Sequence, residues 1–191
     1  MTAARPDDPA GSTTAAPLEA SLTVRLARLE DCEAIRAIYN VEVETSTVTM
    51  DLRGRTAEEQ RRWLSARSGA HAVVVASTVL PSAGGTDGER VTGFASLSPW
   101  RNRPGYSTSV EDSVYVARAW QGRGVGRLLL GELLTVAGAH GFHAVFARVA
   151  SGHAASLALH RRFGFELVGT ERQVARKFGR WIDIDVLQLL L

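Results

Sequence analysis

The stretch from Ser113 to Gly141 constrains this chain more than any other. Ser113-Val114-Tyr115-Val116 is β-branched and aromatic, Ala117-Arg118-Ala119-Trp120 is a short link, and Gln121-Gly122-Arg123-Gly124-Val125-Gly126 places glycine at alternate positions. An apolar helical pattern then runs from Val125 to about His140 and stops at Gly141. A strand must therefore end in a tight turn that starts a helix. Alternating glycines let successive backbone N–H groups face one concavity, and the helix adds its own unpaired N–H groups and positive dipole end. Such a nest binds phosphate oxygens without a charged side chain. It is not a mononucleotide loop, which needs GxxxxGK[ST]. Nor is it the dinucleotide fingerprint, because Arg127 stands where that motif has its third glycine or alanine.

The rest of the chain supplies a sheet for this turn. Leu22–Leu26 alternates as a strand, and Glu30-Asp31 opens a helix with Ala34, Ile35, Ile38 and Val41 on one face. Thr45-Ser46-Thr47-Val48 reads as a loop or irregular strand. Thr56 and Glu59 form a capping box for a second helix through Arg61–Ala66, ending near Gly69. Ala72–Val79 and Arg90–Leu97 are strands around a Pro/Gly-rich tip at 81–88, followed by a loop over Pro99–Gly105 and a strand over Val110–Val116. Ala144–Val149 is a strand, Ala154–Phe163 a helix, and Phe165–Thr170 and Trp181–Leu189 the last two strands. The order is β-α-α-β-β-β-α-β-α-β-β, an α/β chain in which helices flank one sheet. Residues 21–191 form one domain, and the Ala/Pro/Ser/Thr/Gly-rich residues 1–20 a mobile tail.

Composition excludes several classes of function. The single cysteine, Cys32, rules out an internal disulfide framework and a thiolate zinc cluster. No two histidines share a helix face with an acid at ligand spacing, so no metal is expected. No run approaches the roughly 18–20 apolar residues that span a bilayer, and the N-terminal residues lack the apolar block of a secretory signal. A cytoplasmic location without membrane contact is expected. The net charge of +2 is no nucleic-acid footprint. Of 22 basic residues only Lys177 is a lysine, and the arginines cluster at Arg101/Arg103 and at Arg118/Arg123/Arg127.

The spacing Q-x-x-G-x-G over Gln121–Gly126 resembles the turn with which the GNAT superfamily of N-acetyltransferases cradles the pyrophosphate of acetyl-CoA. Ser156-Leu157-Ala158-Leu159-His160, continuing to Gly164-Phe165, resembles the superfamily's S/A-x-x-L-Y-x-x-x-G-F segment. Within the superfamily the chain is similar to the phosphinothricin and methionine sulfoximine acetyltransferases. The matching pieces are Glu44–Val48, Pro99-Trp100 with Arg103 and Tyr106, Glu111 ahead of Val114-Tyr115-Val116, Leu159-His160, and Lys177-Phe178-Gly179-Arg180-Trp181-Ile182-Asp183. The resemblance covers roughly residues 22–190.

That resemblance implies a GNAT fold, with a mixed, mostly antiparallel central sheet flanked by helices, and acetyl-CoA as co-substrate. It implies Glu111 as the catalytic base and His160 as the group that reprotonates the leaving thiolate. The backbone of Val114, Tyr115 and Val116 would pair with the pantetheine arm. Gln121, Gly122, Arg123, Gly124, Val125, Gly126 and Arg127 would hold the pyrophosphate. His153, where the group usually has asparagine, and Ser156 would also touch the coenzyme. Arg101, Arg103 and Tyr106 would bind the acceptor. A homodimer is implied, with the apolar Leu187–Leu191 end a candidate contact or equally a buried last strand.

The chemistry explains why a carboxylate is needed. Freeing an amine lone pair near pH 7 costs roughly 1.4 kcal/mol for an α-amine and roughly 4.6 kcal/mol for a lysine. A carboxylate that takes the proton during attack offsets this, best with its pKa raised toward neutrality. By the pleat, Asp112 faces away from Glu111, so the two do not share a site. The expected reaction is direct acetyl transfer to the α-amino group of phosphinothricin, methionine sulfoximine or methionine sulfone. The alternatives are acetylation of another small amine or a peptide N-terminus, and a non-catalytic acyl-CoA sensor.

Overall fold

A computed structural model describes residues 22–67, 69–80 and 88–191. The strands are β1 (Leu22–Leu26), β2 (Val73–Leu80), β3 (Gly88–Pro99), β4 (Ser109–Val116), β5 (Ala144–Ala150), β6 (Glu166–Lys177) and β7 (Arg180–Leu190). The helices are α1 (Cys32–Thr45), α2 (Ala57–Ser65), α3 (Val125–Ala139) and α4 (Ala154–Arg162), with short 3-10 turns before α1, β4 and α3. The element order is the one read from the sequence. The expected tail at 1–20 and most of the β2–β3 tip lie outside the described residues. No helix among the described residues is long and apolar enough to cross a membrane.

The seven strands form one sheet in the order β1-β2-β3-β4-β5-β7-β6. Every neighbouring pair is antiparallel except β4 and β5, which run parallel. Period-2 alternation gives the sheet two apolar faces. On one, Val73, Val75 and Phe94 pack under α1 and α2 with Ile35, Tyr39, Val43 and Leu64. On the other, Val74, Ala95, Leu97, Val110, Val145 and Ala147 pack under α3 through Leu129, Leu130 and Leu133.

Three boundaries differ from expectation. The residues Glu30-Asp31 lie in a 3-10 turn, and α1 proper begins at Cys32. Thr45 ends α1 instead of leaving it, because its hydroxyl donates to the Val41 carbonyl one turn back. Strand β6 continues well past Thr170 to Lys177. It pairs with β7 across a bulge between Glu171 and Ala175, where the Gln173 N–H donates to an Asp183 carboxylate oxygen at 2.7 Å. In the C-terminal segment Leu187 is fully buried in the core, whereas Leu190 and Leu191 are exposed.

One close approach positions β4. Gly93 of β3 lies opposite Val116, and a Cβ there would come within 2.8 Å of the Tyr115 carbonyl oxygen and 3.0 Å of a Leu129 methyl. The carbonyl is backbone and cannot move aside alone. Gly93→Ala should therefore destabilise the protein by about 1–3 kcal/mol, read as a lower urea midpoint at unchanged m-value.

Candidate active site

The parallel pair β4–β5 is short. Ser109, Val110 and Glu111 oppose Ala144, Val145 and Phe146, and there the pairing ends, although β4 continues to Val116 and β5 to Ala150. On its other side β4 is paired with β3 along its length, and β5 with β7. Beyond Glu111 the two strands diverge and leave a wedge bordered by unpaired backbone N–H and C=O groups. Such groups require partners. Val114, Tyr115 and Val116, expected to meet an extended ligand arm, form this free edge of β4.

The glycine turn lies at the open end of the wedge. Gly122 and Gly124 take φ values of +73° and +81°, the left-handed region that other residues enter only at a cost. Gly124 is the N-cap of α3 and no side chain caps the helix, so its first N–H groups remain available. The Gln121 side-chain amide donates to the Val116 carbonyl at 3.2 Å, tying the turn to the end of β4. Arg123 lies over the Trp120 ring, and Arg123 and Arg127 are exposed. Arg118 reaches back to α1, its Nε donating to Glu42 at 3.0 Å and its Nη2 to Thr45 Oγ1 at 2.6 Å. Burial would raise the Glu42 carboxyl, but its bonds to Arg118 and Ser46 bring it below the ordinary glutamate range. This tie was not read from the sequence.

Glu111 sits at the vertex of the wedge. Its carboxyl is half-buried, and desolvation raises its pKa above the ordinary value, reinforced by Asp112 and Glu171 and opposed by Arg148 and Arg101. Beside it the Trp100 indole stacks on Phe146 with ring centroids 4.1 Å apart, and Arg101 lies over that indole. Arg101, Asn102, Arg103 and Tyr106 line an open surface pocket, with Arg103 capping the 3-10 turn Pro104–Tyr106. Three of the residues expected to bind an acceptor are thus brought together. Arg148 of β5, held to Glu171 of β6 at 2.6 Å, is a further cation near Glu111 that sequence reading missed.

His160 is the buried residue of α4. Its Nδ1 donates to the Ser156 carbonyl at 2.8 Å, and its Nε2 lies 3.0 Å from Asp112 Oδ2. Ser156 therefore contacts His160 directly, while His153 stands at the N-cap of α4. Lys177, part of the quoted C-terminal motif, is buried and donates to the Thr49 carbonyl at 2.7 Å, fastening the α1–α2 loop to β6.

Sequence and fold comparisons establish the family. Residues 24–186 match the family model of the acetyltransferase (GNAT) domain, and the chain belongs to the GNAT acetyltransferase family. It is 38% identical over 170 residues to a phosphinothricin N-acetyltransferase of Streptomyces coelicolor, covering 88% of this chain and 95% of that one. It is 39% identical over 172 residues to an L-methionine sulfoximine/L-methionine sulfone acetyltransferase of Pseudomonas paraeruginosa, covering 90% and 95%. A GNAT superfamily phosphinothricin acetyltransferase of Sinorhizobium meliloti, solved in complex with acetyl-CoA, superposes with a TM-score of 0.80 at 34% identity, covering 89% of this chain and 88% of that one.

Two glycines of this segment, Gly124 and Gly126, should respond differently to alanine. At Gly124 the φ of +81° is the whole problem, since a Cβ would meet nothing within 4 Å. Gly124→Ala should cost about 1–2 kcal/mol. At Gly126, inside α3, a Cβ would approach a flexible Leu159 methyl at 3.3 Å. There the gain in helix propensity, up to about 1 kcal/mol, offsets the tight contact and leaves stability unchanged or higher. Parallel urea titrations of the two variants read the difference.

Proposed function

We propose that this protein is an acetyl-CoA-dependent N-acetyltransferase that acetylates the α-amino group of a small amino-acid-like acceptor, of the phosphinothricin, methionine sulfoximine or methionine sulfone kind, by direct transfer. The observation that carries this reading is the wedge: an unpaired β4 edge with an uncapped glycine turn at its open end and Glu111 at its vertex. Acetyl-CoA supplies an activated acetyl thioester. Its chemistry fits the donors present. The N–H groups of Gly122–Arg127 suit a pyrophosphate, Gln121 and Arg123 border it, and the edge of Val114–Val116 suits the amides of a pantetheine arm. His153 and Ser156, at the start of α4, flank that arm.

Glu111 takes the proton of the attacking amine. Desolvation raises its pKa above the ordinary glutamate value, which favours that task. On the other face of β4, His160 is the proton source for the departing thiolate. Arg101, Arg103 and Tyr106 bind the acidic group of the acceptor, where guanidinium forks donate paired hydrogen bonds to carboxylate or phosphinyl oxygens. The relatives named for phosphinothricin and methionine sulfoximine support this class of acceptor. A homodimer is part of the proposal, and the exposed apolar side chains Leu167, Val168 and Val174 of β6, Phe178 of the turn after it and Trp181 of β7 are available to it. The alternative acceptor, another small amine or a peptide N-terminus, is tested by an amine panel with labelled acetyl-CoA.

Glu111→Gln should lower kcat by about 100-fold or more at neutral pH. Since the base must be ionised and its pKa is raised, wild-type kcat/KM should fall on the acid side above the ordinary carboxylate range, and that limb should vanish in the variant; a full-rate Glu111→Gln enzyme would refute the assignment. Arg103→Ala should raise KM for the acidic acceptor far more than KM for acetyl-CoA, and equal effects on both would remove Arg103 from the acceptor pocket.

A further inference from the structure

Asp112 follows Glu111 and points to the opposite face of β4, between Val110 and Val114, whose side chains belong to the apolar cluster under α3. A carboxyl side chain only 1% exposed among such neighbours needs a cationic partner. His160 is that partner. Its Nδ1 faces the Ser156 carbonyl at 2.8 Å and its Nε2 faces Asp112 Oδ2 at 3.0 Å, while the ring meets Phe165 edge-on at 5.0 Å. A carbonyl oxygen only accepts, so Nδ1 carries a proton, and an Nε2 facing a carboxylate oxygen would need a second one. Among the described residues Asp112 Oδ1 has no hydrogen-bond partner, and His160 is the one group bonded to this carboxylate. Other charged residues of the surrounding elements, Arg127 and Glu132 of α3, Arg161 and Arg162 of α4 and Glu166 of β6, are solvent-exposed. Burial lowers the imidazole pKa, but the Asp112 and Ser156 bonds outweigh it and the net shift is upward.

We propose that Asp112 is a positioning residue for acetyl transfer, holding His160 doubly protonated beside the wedge so that the ring is a competent acid for the departing thiolate. The inference rests on the acetyltransferase reading above. As the amine nitrogen bonds to the acetyl carbon, Glu111 takes the amine proton. The carbon–sulfur bond breaks with its electron pair on sulfur, and the sulfur takes the proton that Nε2 shares with Asp112. The ring is left neutral, with Nδ1–H still on Ser156, and a proton from solvent restores the ion pair. A neutral histidine would have to give up its last N–H to do the same.

The test combines imidazole nitrogen NMR with kinetics on the full chain and its Asp112→Asn variant. In the wild type His160 should carry both protons at about pH 7.5, above the pKa of about 6.5 for an ordinary histidine. In the variant it should be neutral there, with its proton on Nδ1. The variant's kcat should fall by about 100-fold near pH 8 and approach wild type near pH 6, with KM for acetyl-CoA unchanged. A neutral His160 in the wild type overturns the proposal, even if the variant fails to fold. So does a variant whose His160 stays charged, or one whose kcat loss is the same at every pH. Failure to acetylate any amine would reject the enzymatic reading, while the NMR titration would still decide whether Asp112 charges His160.

Discussion

The early parting of β4 from β5 governs this molecule. Two well-paired antiparallel pieces, β1 to β4 and β5 to β7, are joined through only three residue pairs. An interior strand with unsatisfied backbone groups is costly unless water or a ligand meets them. Here that cost falls where an extended chain with its own amides can enter. The free edge, the helix start and the vertex carboxylate all border the same wedge, at the point where the sheet stops being continuous.

The ties around the wedge run between elements that sequence separates widely. Arg118, just before the glycine turn, bonds Glu42 and Thr45 at the end of α1. Lys177 at the end of β6 bonds the loop that follows α1. Both hold the α1–α2 side against the sheet near the mouth of the site. Glu42 is buried, so losing Arg118 would leave a carboxylate without its strongest partner, a larger penalty than an exposed pair carries. The Arg148–Glu171 pair, by contrast, is half-exposed on both sides and contributes little to stability. Its consequence is electrostatic, since both members act on Glu111 with opposite sign.

Local rules made the glycine turn legible, because alternate glycines before a helical pattern have few backbone solutions. The placement of Glu111 and Asp112 on opposite faces was equally legible, because strand alternation admits one answer. The partner of Asp112 was not, since pairing β4 with α4 depends on how α4 packs after β5. A clue existed: an acid between Val110 and Val114 on a core-facing register, and a histidine on the inward stripe of α4. The second half of β6 was missed for a related reason. Its residues are polar and mostly exposed, as an edge strand allows, so no alternation distinguished them from a loop.

Adjacency on one strand explains why two acids with different tasks can stand side by side. Glu111 is half-buried beside a cleft, where partial desolvation raises its pKa and a base can receive a proton. Asp112 is sealed into the core, with His160 Nε2 3.0 Å from its Oδ2. Only the pleat separates them. A slip of one residue in β4 would exchange the two carboxyls and push Val110 and Val114 out of the core at the same time. The hydrophobic register that stabilises the sheet is therefore the same register that sends each acid to its own face, and Gly93, by admitting β4 close to β3, is part of what fixes it.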